Sequence, residues 1–203
     1  MKRNLYHHKL RAGSAGKPVF FVFHGTGGDE NQFFEFGAQL LPDATVVSPL
    51  GDVAEHGAAR FFRRTAEGVY DMADLDRATQ KMATFIAAHR DAHEAGAVIG
   101  LGFSNGANIL ANVLIEFPDL VDTAVLMHPL IPFEPKPAPA PDARRVLITA
   151  GERDPICPVP LTNGLANYLK AQGGTVEMEW HSGGHEIRNN EIEAAKAFLA
   201  PHL

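Results

Sequence analysis

The chain has 203 residues, of which 45% are hydrophobic and 21% charged; this supplies one sizeable core and excludes the low-hydrophobicity, high-charge composition of a disordered chain. Its 18 Lys+Arg against 24 Asp+Glu leave a net charge of −6, which argues against a nucleic-acid partner, because such binding draws its affinity from cations set against phosphates. Cys157 is the single cysteine, so an intramolecular disulfide and a cysteine zinc cluster are both excluded.

The first nine residues, ending at Lys9, carry the positive charge of a signal peptide without the apolar stretch that must follow it. No uninterrupted apolar run approaches the roughly 18 residues that span a bilayer. A soluble, cytoplasmic protein with no membrane partner is therefore expected. Residues 6–11 predict an N-terminal antiparallel edge strand. Apolar, β-branched or aromatic runs at 19–23, 45–48, 98–102, 123–127, 146–149 and 175–180 predict strands, several of them without alternation and so buried on both faces. Helical signals fill 29–41, 74–93, 105–117, 161–172 and 190–199. Asp29 with Gln32 makes a capping-box pattern at the first of these. Leu110, Val113, Leu114 and Phe117 form the apolar stripe of the third, which Pro118 stops. Alternation of strand and helix predicts an α/β chain, a mostly parallel sheet of about six to seven strands flanked by helices. Segments 51–71 and 129–141 are read as loops at strand ends, the second a stiff, Pro-rich surface loop. With no repeat and no linker in view, one domain over 1–203 is expected, without a separate lid.

Gly102-Phe103-Ser104-Asn105-Gly106 matches G-x-S-x-G between a predicted strand and an amphipathic helix. A serine nucleophile needs that sharp strand-to-helix turn to lift its oxygen clear of the sheet, and flanking glycines relieve the crowding. Read instead as a dinucleotide loop, the same glycines would need an acidic residue ending the next strand, and Ala124-Val125-Leu126-Met127-His128-Pro129 has none. A serine also needs a base to take its proton and an acid to orient the base, in the order Ser, Asp or Glu, His. Asp154, just past a strand in Gly151-Glu152-Arg153-Asp154-Pro155, is the candidate acid, with Glu152 its nearest rival. His185 in Ser182-Gly183-Gly184-His185-Glu186 is the candidate base. Reading His181 and His185 as a zinc pair fails because glycines between them disfavour a helix and no third ligand is evident. His24-Gly25-Thr26-Gly27-Gly28 follows the first buried strand, so the backbone N–H groups of Thr26 and Asn105 are the candidate oxyanion donors. That Gly-rich turn lacks the Lys-Ser/Thr pair of a phosphate loop.

These motifs, with the Asp29-Glu30 that follows Gly28, resemble over nearly the whole chain the small α/β-hydrolases of the phospholipase/carboxylesterase family, a group similar to dienelactone hydrolases. The resemblance implies an α/β-hydrolase fold and a serine esterase with Ser104, Asp154 and His185 as its triad, no metal and no organic cofactor. Dienelactone hydrolases proper carry cysteine at the elbow, where this chain has serine, so lactone specificity is not carried over. The expected substrate is a small carboxylic ester in an open, shallow pocket. Acyl thioesters and lysophospholipids use the same catalytic groups, and a non-catalytic binding protein on the same fold is the alternative of another class. In Arg60-Phe61-Phe62-Arg63-Arg64, Phe61 or Phe62 is a candidate pocket lining and Arg63 or Arg64 a candidate anchor for an anionic substrate group, set against a solvated basic turn with one buried phenylalanine. Cys157 is placed to line the pocket edge but reads as inert filler, and His24 and His128, each at a strand end within reach of the site, read as satisfied structural histidines. A homodimer is compatible with the sequence, with no feature that demands one.

Overall fold

The run Val19–Phe23 lacks alternation because both of its faces are covered. Phe20 and Val22 belong to one buried cluster with Phe34, Leu41 and Phe198, whereas Phe21 and Phe23 belong to the other with Phe85, Leu110 and Leu165. The computed structural model describes residues 2–137 and 144–203. Its strands, in chain order, are β1 (His8–Arg11), β2 (Val19–Phe23), β3 (Thr45–Pro49), four short ones, β4 (Val53–Glu55), β5 (Ala58–Arg60), β6 (Arg64–Ala66) and β7 (Val69–Tyr70), then β8 (Val98–Phe103), β9 (Thr123–Met127), β10 (Arg145–Gly151) and β11 (Thr175–His181). The α-helices are α1 (Phe34–Leu40), α2 (Met72–Ala92), α3 (Asn105–Glu116), α4 (Val159–Ala171) and α5 (Asn189–Leu199).

Seven strands form one sheet in the order β1-β3-β2-β8-β9-β10-β11, with β1 antiparallel to β3 at the edge and the rest parallel. This is the α/β-hydrolase arrangement. One face carries α1 and α5, and the other α2, α3 and α4. Burial of the apolar area on both faces at about 25 cal/mol per Å² is the main force holding the layers together. Among the described residues no helix is long and apolar enough to cross a membrane.

Three expectations are corrected. The capping box of the first helix does not form: Gln32 Oε1 accepts the Gly25 N–H at 2.9 Å, Asp29 accepts only the nearby Asn31 N–H at 2.8 Å, and α1 starts at Phe34. Segment 51–71 is two small hairpins, β4 with β5 and β6 with β7, rather than a loop. The Pro-rich stretch is not a surface loop at its start, where Pro129, Leu130 and Ile131 are buried, because Asn108 Oδ1 accepts the Leu130 N–H at 2.6 Å and Tyr70 donates its hydroxyl to the Leu130 carbonyl at 2.7 Å. Residues 138–141 of that stretch lie outside the described residues.

Parallel register sets up the site. Phe103 pairs with Met127, Met127 with Thr149, and Gly151 with His181. The segments leaving β8, β9, β10 and β11 thus emerge side by side along one edge, the place where an open α/β sheet presents its ligands.

Candidate active site

Ser104 follows β8 with φ +52° and ψ −118°, a conformation rare for a residue with a side chain. The backbone can turn that sharply because of its glycines. A Cβ on Gly102 would stand 2.5 Å from the Gly106 carbonyl oxygen, and one on Gly106 would meet the carbonyls of Phe23 and His24. The Ser104 N–H is tied to the Met127 carbonyl at 2.9 Å, and the side chain projects from the sheet edge at the start of α3.

Asp154 and His185 come from neighbouring turns that interlock. The Glu152 N–H donates to His181 O and the Arg153 N–H to Gly183 O, both at 2.8 Å, and a Cβ on Gly151 would collide with the Gly184 carbonyl. Packed this way, the Ser104 hydroxyl lies 2.9 Å from His185 Nε2, and His185 Nδ1 lies 2.7 Å from Asp154 Oδ2. Asp154 is 6% exposed, while its rival Glu152 faces solvent. Burial alone would raise the Asp154 pKa. The N–H groups of Cys157 and Ile156 on Oδ1 and the two imidazoles on Oδ2 outweigh it and hold the carboxyl below its ordinary value.

Thr26 and Asn105 line the same cleft as Ser104 and His185, a cavity of about 210 Å³. Asn105 opens α3, so its N–H has no helical acceptor. The hairpin segment braces both candidate donors. Arg60 donates to Thr26 Oγ1 at 2.7 Å, the Gly27 N–H donates to Ala59 O at 3.0 Å, and the Phe61 N–H donates to Asn105 Oδ1 at 2.8 Å. His24 joins the clamp, its Nε2 accepting the Gly51 N–H at 2.9 Å, and burial lowers its pKa so that it stays neutral. Arg60 is the residue here that the sequence did not single out, since nothing in its neighbourhood announces a bond across 34 positions.

The substrate-binding candidates are redistributed. Phe61 and Phe62 are 0% exposed and belong to the core, Phe61 against Phe23 and His24 and Phe62 against Tyr70, so neither lines the cleft. Arg63 points away, to Asp71 and Asp74 at 3.1 and 3.2 Å. Arg64 does line the cleft, but Glu55 holds it bidentately at 3.0 to 3.1 Å and Glu67 takes its third nitrogen, so its charge is already spent. Tyr70, Leu130 and Ile156 supply the uncharged lining instead.

Behind the acid lies a histidine that the sequence placed at a strand end and read as structural. His128, wholly buried just after β9 at φ +51°, approaches Asp154 Oδ2 with Nδ1 at 2.8 Å and Glu191 Oε1 with Nε2 at 3.1 Å. Glu191 also faces His181 Nε2 at 3.2 Å. His128, His181 and Glu191 therefore converge as three potential metal ligands, as do His128, Asp154 and His185, and neither group joins His181 to His185. Hydrogen bonding decides their use. His181 Nδ1 accepts the Gly183 N–H at 2.9 Å, so the ring proton sits on Nε2 and leaves no lone pair there for a cation. No sequence motif marks Glu191; the only local signal for His128 was its place at a strand end. Cys157 is buried with its Sγ 3.2 Å from His128 O, and burial pushes its thiol pKa up, leaving it inert.

The chain is similar to known hydrolases. The dienelactone hydrolase family matches residues 52–197. The Bacillus subtilis (strain 168) protein MhqD is 37% identical over 180 residues, covering 88% of this chain and 90% of that one. Among solved structures, Atu2452 of Agrobacterium tumefaciens strain C58, a protein of unknown function, is 71% identical with TM-score 0.98 over 100% of both chains. A Bacillus cereus carboxylesterase is 33% identical with TM-score 0.90 over 98% of this chain and 95% of that one.

Proposed function

The chain belongs to the dienelactone hydrolase family, and from that premise we propose that it is a serine carboxylesterase acting on small esters, with Ser104 as nucleophile, His185 as base and Asp154 as the orienting acid. One observation carries the reading: the continuous path from the Ser104 hydroxyl to His185 Nε2 at 2.9 Å and from His185 Nδ1 to Asp154 Oδ2 at 2.7 Å. The Bacillus cereus relative is a carboxylesterase, which favours an ester over other acyl substrates. A cleft of about 210 Å³ matches a short acyl or alcohol group better than a long chain. The lone cysteine, free of any disulfide, is in keeping with a cytoplasmic setting.

In the first half-reaction Ser104 Oγ bonds to the ester carbonyl carbon while its proton passes to His185 Nε2. The carbonyl oxygen takes up negative charge, which the N–H groups of Thr26 and Asn105 receive. Collapse breaks the bond to the alcohol oxygen, and His185 returns its proton to that leaving group. Water then repeats the sequence: His185 takes one of its protons, the oxygen attacks the acyl carbon, and the carboxylic acid departs as Ser104 regains its hydrogen. Asp154 stays ionised throughout, since its task is to fix the tautomer of His185 and offset its charge.

The test is covalent labelling with a fluorophosphonate together with kinetics on p-nitrophenyl esters of rising acyl length. Wild-type protein should label at one serine and prefer acetate or butyrate to decanoate. Ser104→Ala should lose both labelling and about 10⁴-fold or more in kcat. Near-full hydrolysis by that variant would end the assignment.

A further inference from the structure

His128 is set between two carboxylates. Asp154 accepts at every lone-pair position, from two backbone N–H groups on Oδ1 and from His185 and His128 on Oδ2. Glu191 is filled in the same way, by the Thr149 hydroxyl at 2.5 Å and His128 on Oε1 and by the Arg188 N–H at 2.7 Å and His181 on Oε2. His181 holds its single proton on Nε2 because Nδ1 accepts from Gly183. With lone pairs of oxygen 2.8 Å from one nitrogen of His128 and 3.1 Å from the other, each gap needs a proton, and both protons belong to one ring.

We propose that His128 is a protonated positioning residue on the far side of the catalytic carboxylate, which fixes Asp154 as an anion and sets where the acidic limb of turnover falls. The proposal rests on the reading of Ser104, His185 and Asp154 as the reacting set and adds the control of its working pH range. Its sign follows from distance. The His128 and His185 rings have centroids 5.1 Å apart and share Asp154 Oδ2, so a fixed positive charge on one opposes a positive charge on the other. Burial by itself would deprotonate His128, but the hydrogen bonds to Glu191 and then to Asp154 raise its pKa above the ordinary imidazole value. The other groups facing this cluster are accounted for: His181 Nε2 lies 3.5 Å from His128 Nε2 but nearer, at 3.2 Å, to Glu191 Oε2, which takes its proton, the Cys157 thiol donates to the His128 carbonyl, Arg188 turns outward to Glu186, and Arg153 lies on the Ser182 carbonyl at the surface. The backbone supports the same view, because a non-glycine at φ +51° persists only where its surroundings hold it, here the His128 N–H on Thr149 O at 2.8 Å and both ring nitrogens.

Two measurements decide it. In wild-type protein labelled with ¹⁵N-histidine, the His128 ring, assigned by the signal that His128→Asn removes, should show two protonated nitrogens at a pH above the ordinary imidazole value of 6.5, where an unperturbed imidazole has one. A bare nitrogen on His128 at that pH overturns the proposal, and this reading needs no active variant. In ester hydrolysis, His128→Asn and Glu191→Gln should each move the acidic limb of kcat/KM upward by about one pH unit, with a loss of about tenfold on the plateau. A lower plateau with an unmoved limb in both would make His128 mere packing. Failure of the esterase reading looks different: Ser104→Ala would then hydrolyse esters like wild type while the nitrogen spectrum still reports on His128. Should His128→Asn not fold, Glu191→Gln supplies both the limb and, through loss of the doubly protonated signal, the assignment.

Discussion

Two regions of this molecule reach the same cleft by different physics. At the sheet edge, Ser104, Asp154 and His185 are delivered by short turns held by close backbone approach, within four residues between Gly102 and Gly106 and across two adjoining turns between Gly151 and Gly184. The hairpin segment 51–71 contributes none of these three groups. Instead it clamps the facing loop through bonds that cross 27, 34 and 44 positions of sequence, from Gly51 to His24, Arg60 to Thr26 and Phe61 to Asn105. Chemistry is therefore concentrated in turns packed backbone against backbone, and positioning in a hairpin that reaches them through single hydrogen bonds. Substitutions in the first region should abolish turnover, and those in the second should tune it.

The largest effect expected is at Asp154. Both of its oxygens act as acceptors for N–H groups, four in all, and an amide offers only one accepting oxygen. In Asp154→Asn an NH₂ group would face either the backbone donors or the imidazoles, so the tautomer of His185 is lost. We expect kcat to fall by about 10⁴-fold with little change in KM. A loss under tenfold on p-nitrophenyl acetate would erase the contrast between the two regions.

That contrast also explains what could be read from the sequence. Burial-driven strands were legible because a doubly covered sheet writes itself as unbroken apolar runs, and the N-terminal edge strand and four of the five helices fell close to their expected bounds. Helix α1 did not, because Gln32, read as a cap, is drawn to the Gly25 N–H by tertiary structure. Ser104, Asp154 and His185 sit in glycine-marked motifs. His128 and Glu191 meet only because the turn after β9 and the first turn of α5 converge, and no spacing along the chain encodes that. Phe61 and Phe62 misled for a related reason: aromatic residues beside arginines look like a binding surface until a hairpin turns them into the core.

A comparison of kinetics is meaningful only where the fold is intact, and His89 on α2 sets the acid boundary. Burial, then the nearby His8, lowers its pKa from 6.5 to about 4. A folded value below the unfolded one means that its stabilisation is complete above about pH 6.5 and is lost as pH falls towards 4, because the unfolded chain then binds the proton more readily. The loss is about 3 kcal/mol, and the Tm should drop by roughly 10 °C across that interval. His89→Phe, which keeps a ring against Phe85 and Phe21, should flatten the dependence. A slope unchanged in that variant would assign the acid loss to the buried carboxylates instead.

Next in size is Arg60. It is 3% exposed and holds Thr26 Oγ1 at 2.7 Å, so Arg60→Met should loosen the loop whose N–H is assigned to the oxyanion and lower kcat by about 10- to 100-fold, with KM moving less. Equal falls in kcat and rises in KM would point to a role in holding substrate rather than the loop.

The smallest effect should come three residues past the end of the same hairpin segment's first strand pair, at Arg63, which sequence alone placed beside Arg64 as a substrate anchor. Its side chain is 58% exposed and bridges Asp71 and Asp74 on the side away from the cleft, and exposed ion pairs of this kind contribute about 0 to 1 kcal/mol. Asp74 keeps its other partners, the Arg63 backbone N–H at 2.7 Å and Arg77 at 2.6 Å, whatever side chain stands at 63. Arg63→Ala should therefore leave kcat/KM within about twofold for neutral and for carboxylate-bearing esters alike, and shift Tm by no more than about 4 °C. A selective loss on the anionic esters would mean that the guanidinium swings into the cleft when substrate binds, and the division between a reacting edge and a bracing hairpin would have to be redrawn at that residue.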